Sequence, residues 1–259
     1  MLYCVLSGAG ASIAKAVRLQ ALAGVDHVVV VDDDNVLVGV VSSRDIASIL
    51  LDVFEAEGLV EVRGLGRIAD ASVAEVARKP VITVRNDPGP LGAAFIMHVS
   101  GIGVLPVVDD SGRVEECYDE AFLAYYLIGT RAPLAPYATR PVDFGEDDDT
   151  VLDAMARMLE RGYRDLVYRV SGAAYRYGVT TLRDLLLLVA RTKKEDALLY
   201  RVVEHIRPAV VVPGSLTVGE AAGLIASLPE RAVLVNGSGE LGIFTARDVV
   251  RFLARLGGV

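Results

Sequence analysis

The 259-residue chain contains no tryptophan, two cysteines and three histidines, which leaves little material for a metal site. Cys4 and Cys117 form no CxxC pair, and we interpret both as buried thiols that belong to neither a zinc site nor a disulfide framework. The histidines His27, His98 and His205 are scattered, and no two have the spacing of metal ligands on one helix. The sequence therefore predicts neither a metal ion nor a bound cofactor.

Long apolar segments and nucleotide-fold fingerprints are also absent. Hydrophobic residues make up 53% of the chain, yet no apolar run reaches the roughly 18 residues of a membrane helix. The stretch Met1–Leu6 is too short for a signal peptide and lacks its positive charge. We find no P-loop and no nucleophile elbow, and Gly8–Ala11 lacks the third glycine of a dinucleotide motif. We therefore expect a cytoplasmic protein that is not an enzyme.

The balance of charge limits the partners of the protein. Its formal net charge is −8, so no overall basic field attracts nucleic acid. We therefore expect binding neither to nucleic acid nor to a membrane.

A short pattern recurs along the chain and defines its organisation. An apolar strand leads into a hydroxyl residue, and an arginine and an aspartate then open a helical run. The intact copies are Gly39–Asp45, Gly178–Asp184 and Gly242–Asp248. A damaged copy, Glu116–Phe122, has Asp119 in place of the hydroxyl residue and Phe122 in place of the aspartate. Because the copies lie about 60 to 80 residues apart, the sequence predicts four repeats.

The predicted repeats comprise residues 1–70, 71–128, 135–194 and 195–259, and each mixes helices with strands. A unit of about 60 residues is too small to bury both faces of a sheet. We therefore predict that the repeats pair into two domains, residues 1–128 and 135–259. The segment Gly129–Pro136, which contains two prolines, is the candidate linker between them.

The four units resemble the cystathionine-β-synthase (CBS) domain. The likeness lies in Val104–Asp109, in the three Gly-…-Ser/Thr-x-Arg-Asp endings, and in the segments that follow Lys79-Pro80, Arg140-Pro141 and Arg207-Pro208. It extends over essentially the whole chain. The resemblance implies an α+β fold of four β-α-β-β-α repeats, paired into two tandem units called Bateman modules. It also implies that clefts between the repeats bind an adenosine-containing ligand such as AMP, ADP, ATP or S-adenosylmethionine.

The recurring motif has a structural and a functional interpretation. A hydroxyl residue followed three positions later by an acid is a capping box, which satisfies the free amides of the first helical turn. The same helix terminus attracts phosphate, an aspartate there can accept the hydroxyls of a ribose, and the arginine before it can neutralise phosphate. Capping requires no arginine, yet all three intact copies have one. The candidate ligand-binding residues are Ser42, Arg44 and Asp45; Thr181, Arg183 and Asp184; and Thr245, Arg247 and Asp248.

The first strand of each repeat is predicted at Leu2–Leu6, Val81–Val84, Val142–Phe144 and Val210–Val212. Each of these strands, with the few residues before it, is here called the leading segment and supplies further candidates. The resemblance implies that its main chain recognises the base, which adds Val81 and Thr83 in the second repeat and Val210 and Val212 in the fourth. The leading segment of the third repeat carries Asp143 and the acidic run Glu146–Asp149, whose charges would repel phosphate if they face the cleft; the alternative for that run is a solvated acidic turn. The fourth repeat, with Asp248, is therefore the preferred site.

We expect a non-catalytic regulatory or sensor protein that acts on a separate partner protein, with a homodimer as an open possibility. The alternative is a ligand-free assembly scaffold in which the Ser/Thr-x-x-Asp motifs only cap helices.

Overall fold

The computed structural model describes residues 4–57, 68–171, 174–192, 195–237 and 239–257. The predicted strand at residues 2–6 lies partly outside these residues. Of its described residues, only Leu6 belongs to a strand, which continues to Gly8.

The first half of the chain folds, in order, into β1 (Leu6–Gly8), α1 (Ile13–Ala23), β2 (His27–Val31), β3 (Leu37–Ser42), α2 (Ser43–Glu57), α3 (Val73–Val76), α4 (Gly89–Ser100), β4 (Val104–Val108), β5 (Val114–Asp119) and α5 (Glu120–Leu123). A 3-10 turn at Ala124–Leu127 continues α5.

The second half contains α6 (Val151–Arg161), β6 (Asp165–Arg169), β7 (Tyr177–Thr181), α7 (Leu182–Thr192), β8 (Arg207–Pro208), β9 (Val211–Pro213), α8 (Val218–Ser227), β10 (Ala232–Asn236), β11 (Leu241–Thr245) and α9 (Ala246–Gly257). Further 3-10 turns lie at Ala135–Tyr137, Glu195–Leu199 and Val202–Glu204. The prediction of an α+β fold built from small mixed units is confirmed.

Local sequence signals set the limits of several helices. Thr150 and Thr217 begin α6 and α8 with reciprocal capping boxes. Each threonine hydroxyl accepts from the amide of the third helical residue, and the acidic side chain of that residue accepts from the backbone amide of the threonine. Gly24 and Gly162 end α1 and α6 at φ angles of 65° and 76°, a left-handed backbone that glycine adopts without strain.

The strands form small separate sheets in the orders β1-β2-β3, β4-β5, β6-β7-β8 and β9-β10-β11. The predicted strand Val81–Val84 is wrong, because that segment makes only an isolated bridge from Val84 to Val107. The segment at 142–144 likewise makes only a bridge from Phe144 to Val167. Each follows a proline, which has no amide to donate to a ladder.

The leading segments contact a neighbouring repeat rather than only their own. Arg78 bridges to Val40 of the first repeat, and Thr139 bridges to Ile243 of the fourth. In the same way, β8 of the fourth repeat pairs with β7 of the third. Each of these segments therefore reaches the strand that precedes a motif aspartate in its neighbour.

Sheets and helices bury their apolar faces against different repeats. The sheet of the first repeat packs on that of the second, through residues such as Val29 and Cys117, and the third packs on the fourth through Val167 and Leu234. The helices of the first repeat share a core with those of the third, and the helices of the second share one with the fourth. The repeats therefore pack in a closed cycle, in the order first, second, fourth, third. The domain limits at 128 and 135 stay a prediction.

The candidate linker packs closely on the fourth repeat. Leu134 is fully buried, its amide donates to the carbonyl of Leu216 at 2.8 Å, and the amide of Gly219 donates to the carbonyl of Thr130 at 3.0 Å.

The interpretation of Cys4 and Cys117 as free thiols is wrong. The two residues form a disulfide whose Cα atoms are 5.7 Å apart, although 113 positions separate them in the sequence. Cys117 lies on β5 of the second repeat, and Cys4 packs on the same cluster from the start of the first repeat. The pairing depends on the packing of two sheets, which Cys spacing does not reveal.

Among the described residues, no helix is long and apolar enough to cross a membrane.

Candidate functional site

Asp248 lies in the first turn of α9, and its side chain is only 5% exposed. One carboxylate oxygen accepts from the amide of Thr245 at 2.9 Å and from its hydroxyl at 3.1 Å. The other accepts from the hydroxyl of Thr139 at 3.2 Å and from Nη1 of Arg251 at 2.7 Å. Burial raises the pKa of Asp248, while these hydrogen bonds and the charge of Arg251 oppose that shift.

A cavity of about 240 Å³ opens beside this carboxylate, and we call it the Asp248 cleft. One wall is the motif of the fourth repeat, with Thr245, Arg247 and Asp248. The facing wall is the leading segment of the third repeat, including Thr139 and Val142.

The predicted leading-segment partners of Asp248 lie elsewhere. Val212 is 7% exposed and belongs to the core formed by the helices of the second and fourth repeats, and Val210 packs against that core. The structure does not bring these two valines to the Asp248 cleft.

A second cavity, of about 420 Å³, lies at the first repeat, and we call it the Asp45 cleft. It brings together four predicted residues, Ser42, Arg44, Asp45 and Val81, whereas Thr83 is not part of its lining. The leading segment of the second repeat forms one wall. In both clefts, therefore, a motif aspartate faces the leading segment of the adjacent repeat.

Two of the motif aspartates form ion pairs with arginines of the facing leading segments. Asp45 pairs with Nε of Arg78, and Asp184 pairs with Nη2 of Arg207. Both aspartates also complete reciprocal capping boxes, with Ser42 and Thr181 respectively. Each of these aspartates therefore both caps its helix and contacts the facing leading segment.

Comparison with known proteins gives the family. The sequence model of the CBS domain matches residues 8–52 and 202–255. An uncharacterized 33.4 kDa protein in a ribosomal RNA operon of Thermofilum pendens is 31% identical over 257 residues, which cover 91% of this chain and 83% of that protein. The chain belongs to the CBS-domain family.

Two solved structures share the fold of this chain over nearly its whole length. Protein MJ1225 from Methanocaldococcus jannaschii, described as a proposed archaeal homologue of g-AMPK, is 21% identical with a TM-score of 0.74. An uncharacterized conserved protein from Pyrococcus horikoshii is 18% identical with a TM-score of 0.61. In both cases the match covers 98% of this chain and 96% of the other. At these identities the likeness shows the fold alone.

The motif arginines of the CBS repeats differ in their surroundings. Arg183 is 3% exposed; it forms an ion pair with Asp26 at 2.9 Å and donates to the carbonyl of Pro229 at 2.7 Å. Arg44 is half-buried and Arg247 is exposed. Each of the latter donates to a backbone carbonyl at the end of α6.

A network of charged groups fills the centre where the four CBS repeats meet. Arg164 pairs with Asp26 of the first repeat and with Glu120 of the second. Burial would raise the pKa of Asp26, but the guanidinium groups of Arg183 and Arg164 hold it well below its usual range. Burial raises the pKa of Asp165, at the edge of the Asp248 cleft, to about 7.

The sequence analysis did not assign Thr139, Arg251 or Asp165 to a site. A signal for Thr139 exists, because it precedes Arg140-Pro141 just as Arg78 precedes Lys79-Pro80. When the second and third repeats are aligned on these X-Pro dipeptides, Arg78 and Thr139 occupy the same position, and each contacts a motif aspartate. No comparable pattern marks Arg251 or Asp165.

Proposed function

We propose that the protein is a non-catalytic regulatory protein that binds an adenosine-containing ligand in the Asp248 cleft. The observation that carries this proposal is the buried carboxylate of Asp248 at the start of α9, facing the leading segment of the adjacent CBS repeat across a cavity. Such a carboxylate accepts two ribose hydroxyls in the same way that it now accepts the hydroxyl of Thr139.

The lining of the Asp248 cleft offers groups for the three parts of such a ligand, and it also includes Asp143, whose charge opposes a phosphate beside it. Val142 gives an apolar surface for the base, and the backbone of the leading segment supplies hydrogen-bonding groups beside it. Arg247 and Arg161 at the cleft suit a phosphate, since guanidinium groups make forked contacts with its oxygens. The N-terminus of α9 adds the positive end of its helix dipole.

The competing candidate is an assembly scaffold without a ligand. Its support is the complete capping geometry at Asp45 and Asp184, where hydroxyl and carboxylate satisfy each other's amides. On that account each aspartate serves only its helix.

Thermal unfolding with AMP, ADP, ATP, GTP, NAD and S-adenosylmethionine separates the two functions. A ligand at a hundred times its Kd adds about 2.7 kcal/mol of stability. We expect at least one adenosine-containing ligand to do so for the native chain and to give a clearly smaller shift for Asp248→Ala. The scaffold function predicts no shift with any member of the panel.

Asp153→Ala is the matched control. Like Asp248, Asp153 accepts from the amide and the hydroxyl of the threonine three positions before it, here Thr150, and it lines neither cleft. Both variants should lose about 0.5–2 kcal/mol of stability without ligand, as cap losses do, but only Asp248→Ala should reduce the ligand shift. A shift of the same size in Asp248→Ala and the native chain would contradict the assignment of the preferred site to the Asp248 cleft.

We propose further that the ligand acts by changing contacts with a regulated partner protein or with a second copy of the chain. The clefts lie where repeats meet, so a ligand that prefers one packing of the repeats shifts the population toward it. Cross-linking of the chain with and without the ligand that gives the largest thermal shift tests the second copy as the partner.

A further inference from the structure

Two motif arginines from different CBS repeats converge on one residue. Nη1 of Arg247, in the fourth repeat, donates to the carbonyl of Gly162 at 3.3 Å. Nη2 of Arg44, in the first repeat, donates to the carbonyl of Leu159 at 3.1 Å. A Cβ placed on Gly162 would lie 3.6 Å from Nη1 of Arg44. The two guanidinium groups therefore both lie close to the end of α6, and both line the Asp45 cleft.

These two arginines differ from the others at the centre in how their charge is balanced. Arg164 and Arg183 each form an ion pair with Asp26, and Arg164 also pairs with Glu120. Neither Arg44 nor Arg247 forms an ion pair with a residue that the structure describes; their contacts are with carbonyl oxygens. Carbonyl contacts leave the positive charge uncompensated and leave further N–H groups of each guanidinium to donate.

The pair lies between the Asp45 and Asp248 clefts. Arg44 lines the Asp45 cleft, whereas Arg247 lines both cavities, as does the compensated Arg164. A phosphate carried by a ligand in either cleft therefore reaches the same guanidinium group of Arg247.

We propose that Arg44 and Arg247 form one phosphate site shared by the two clefts, so that these clefts together hold a single phosphorylated adenosine ligand although each accepts an unphosphorylated one. The inference rests on the proposed function and extends it to the Asp45 cleft. It concerns regulation, because a nucleotide in one cleft then excludes a nucleotide from the other.

The exclusion follows from charge. A first phosphate uses the uncompensated arginines, and a second would lie close to it, where two like charges in a partly buried site repel each other. The neighbouring Arg164 and Arg183 are already paired with Asp26 and Glu120, so they offer no free charge to a second phosphate. We expect the second AMP to bind at least tenfold more weakly than the first, and by linkage the effect is the same in either order.

Calorimetric titration with adenosine and with AMP tests this, using the native chain, Asp45→Ala and Asp248→Ala. Each variant removes one cleft. We expect each to lower the number of adenosine molecules bound per chain by one, while the number of AMP molecules bound with the affinity of the first stays the same. Because the comparison is a difference, a ligand at Asp184 does not affect it.

The possible outcomes are distinct. If each variant lowers the count of both ligands by one, the clefts are independent and the shared site is wrong, while the proposed function stands. If neither ligand binds the native chain, the proposed function itself fails. If a variant changes neither count, its cleft does not bind and sharing is likewise overturned.

Variants of the arginines give a second readout that does not depend on the aspartate caps. Arg44→Ala and Arg247→Ala should each weaken AMP about tenfold or more and leave adenosine unchanged, and inorganic phosphate should compete with AMP but not with adenosine. Arg85→Ala is the control, because Arg85 forms an exposed ion pair with Asp110 and lines neither cleft. An equal loss of affinity for adenosine and for AMP in Arg44→Ala and Arg247→Ala would overturn the phosphate site.

Discussion

Arg183 of the third repeat and Asp26 of the first form a buried ion pair, with Nη1 of the arginine 2.9 Å from Oδ1 of the aspartate. Their side chains are 4% and 9% exposed. Because Arg183 also donates to the carbonyl of Pro229, it joins three of the four CBS repeats. Its equivalents Arg44 and Arg247 lie at clefts with uncompensated charge. The same motif position therefore joins repeats in the third repeat and lines a cleft in the first and fourth.

Replacing Arg183 by methionine should cost about 3–5 kcal/mol of unfolding free energy, because it leaves the carboxylate of Asp26 buried beside one fewer cation. Urea unfolding measures the change. The exposed pair of Arg85 and Asp110 gives the control, since its loss should cost at most about 1 kcal/mol. Equal costs for Arg183→Met and Arg85→Ala would contradict a structural role for Arg183.

What the sequence predicts well here depends on neighbours in the chain. Thr150 and Asp153 lie three residues apart, so the start of α6 follows from local chemistry. The position of the motif aspartates at helix starts is predictable for the same reason.

Contacts between repeats are the part that sequence patterns do not supply. Thr139 meets Asp248 across 109 positions, and Arg44 meets Leu159 across 115. Both contacts depend on which repeats pack together, and that packing is determined by whole apolar faces rather than by any motif. The assignment of Val210 to the Asp248 cleft failed to anticipate this, because it paired each aspartate with the leading segment of its own repeat.

The disulfide between Cys4 and Cys117 should stabilise the protein by about 2–4 kcal/mol, since it closes a long loop and so restricts the unfolded chain. Adding dithiothreitol should lower the urea midpoint of the native chain accordingly. The double variant Cys4→Ala/Cys117→Ala is the control, because its midpoint should not respond to the reductant. A native midpoint that also fails to respond would contradict a stabilising disulfide.

Two glycines one turn apart on α8 should respond oppositely to alanine. A Cβ on Gly219 would lie 2.6 Å from the backbone nitrogen of Thr130, where the candidate linker crosses the helix. Gly219→Ala should therefore cost about 1–3 kcal/mol through overpacking.

Gly223 is the matched position, because a Cβ there would meet nothing within 4 Å. Gly223→Ala should stabilise the protein by about 0.5–1 kcal/mol, since alanine loses less backbone entropy in a helix. Urea unfolding measures the change in unfolding free energy for both variants. Similar changes would show that the linker is not held against α8.

The carboxyl group of Asp165 should make stability fall as pH rises toward neutrality. Burial and the charges of Asp26 and Asp184 raise its pKa from 3.8 to about 7 in the folded protein, against the opposing effect of Arg183 and Arg164. Between these values the folded state binds a proton that the unfolded state has released, so this group lowers the unfolding free energy as pH rises, by at most about 1.4 kcal/mol per pH unit. Above about 7 both states are ionised and the contribution is constant. Asp165→Asn should remove this slope in urea unfolding between pH 5 and 8.

The same titration should reach the proposed ligand. Asp165 lines the Asp248 cleft, so its ionisation adds a negative charge beside a bound phosphate and should weaken AMP as pH rises through about 7. The phosphate of AMP also titrates near this pH, but that effect is common to both proteins and cancels in the ratio of the AMP affinities of the native chain and Asp165→Asn. The ratio should fall between pH 5.5 and 8.5, and adenosine should show no such fall because it carries no phosphate. A constant ratio for AMP would mean that Asp165 does not face the phosphate, and would move the phosphate away from the third-repeat side of the cleft.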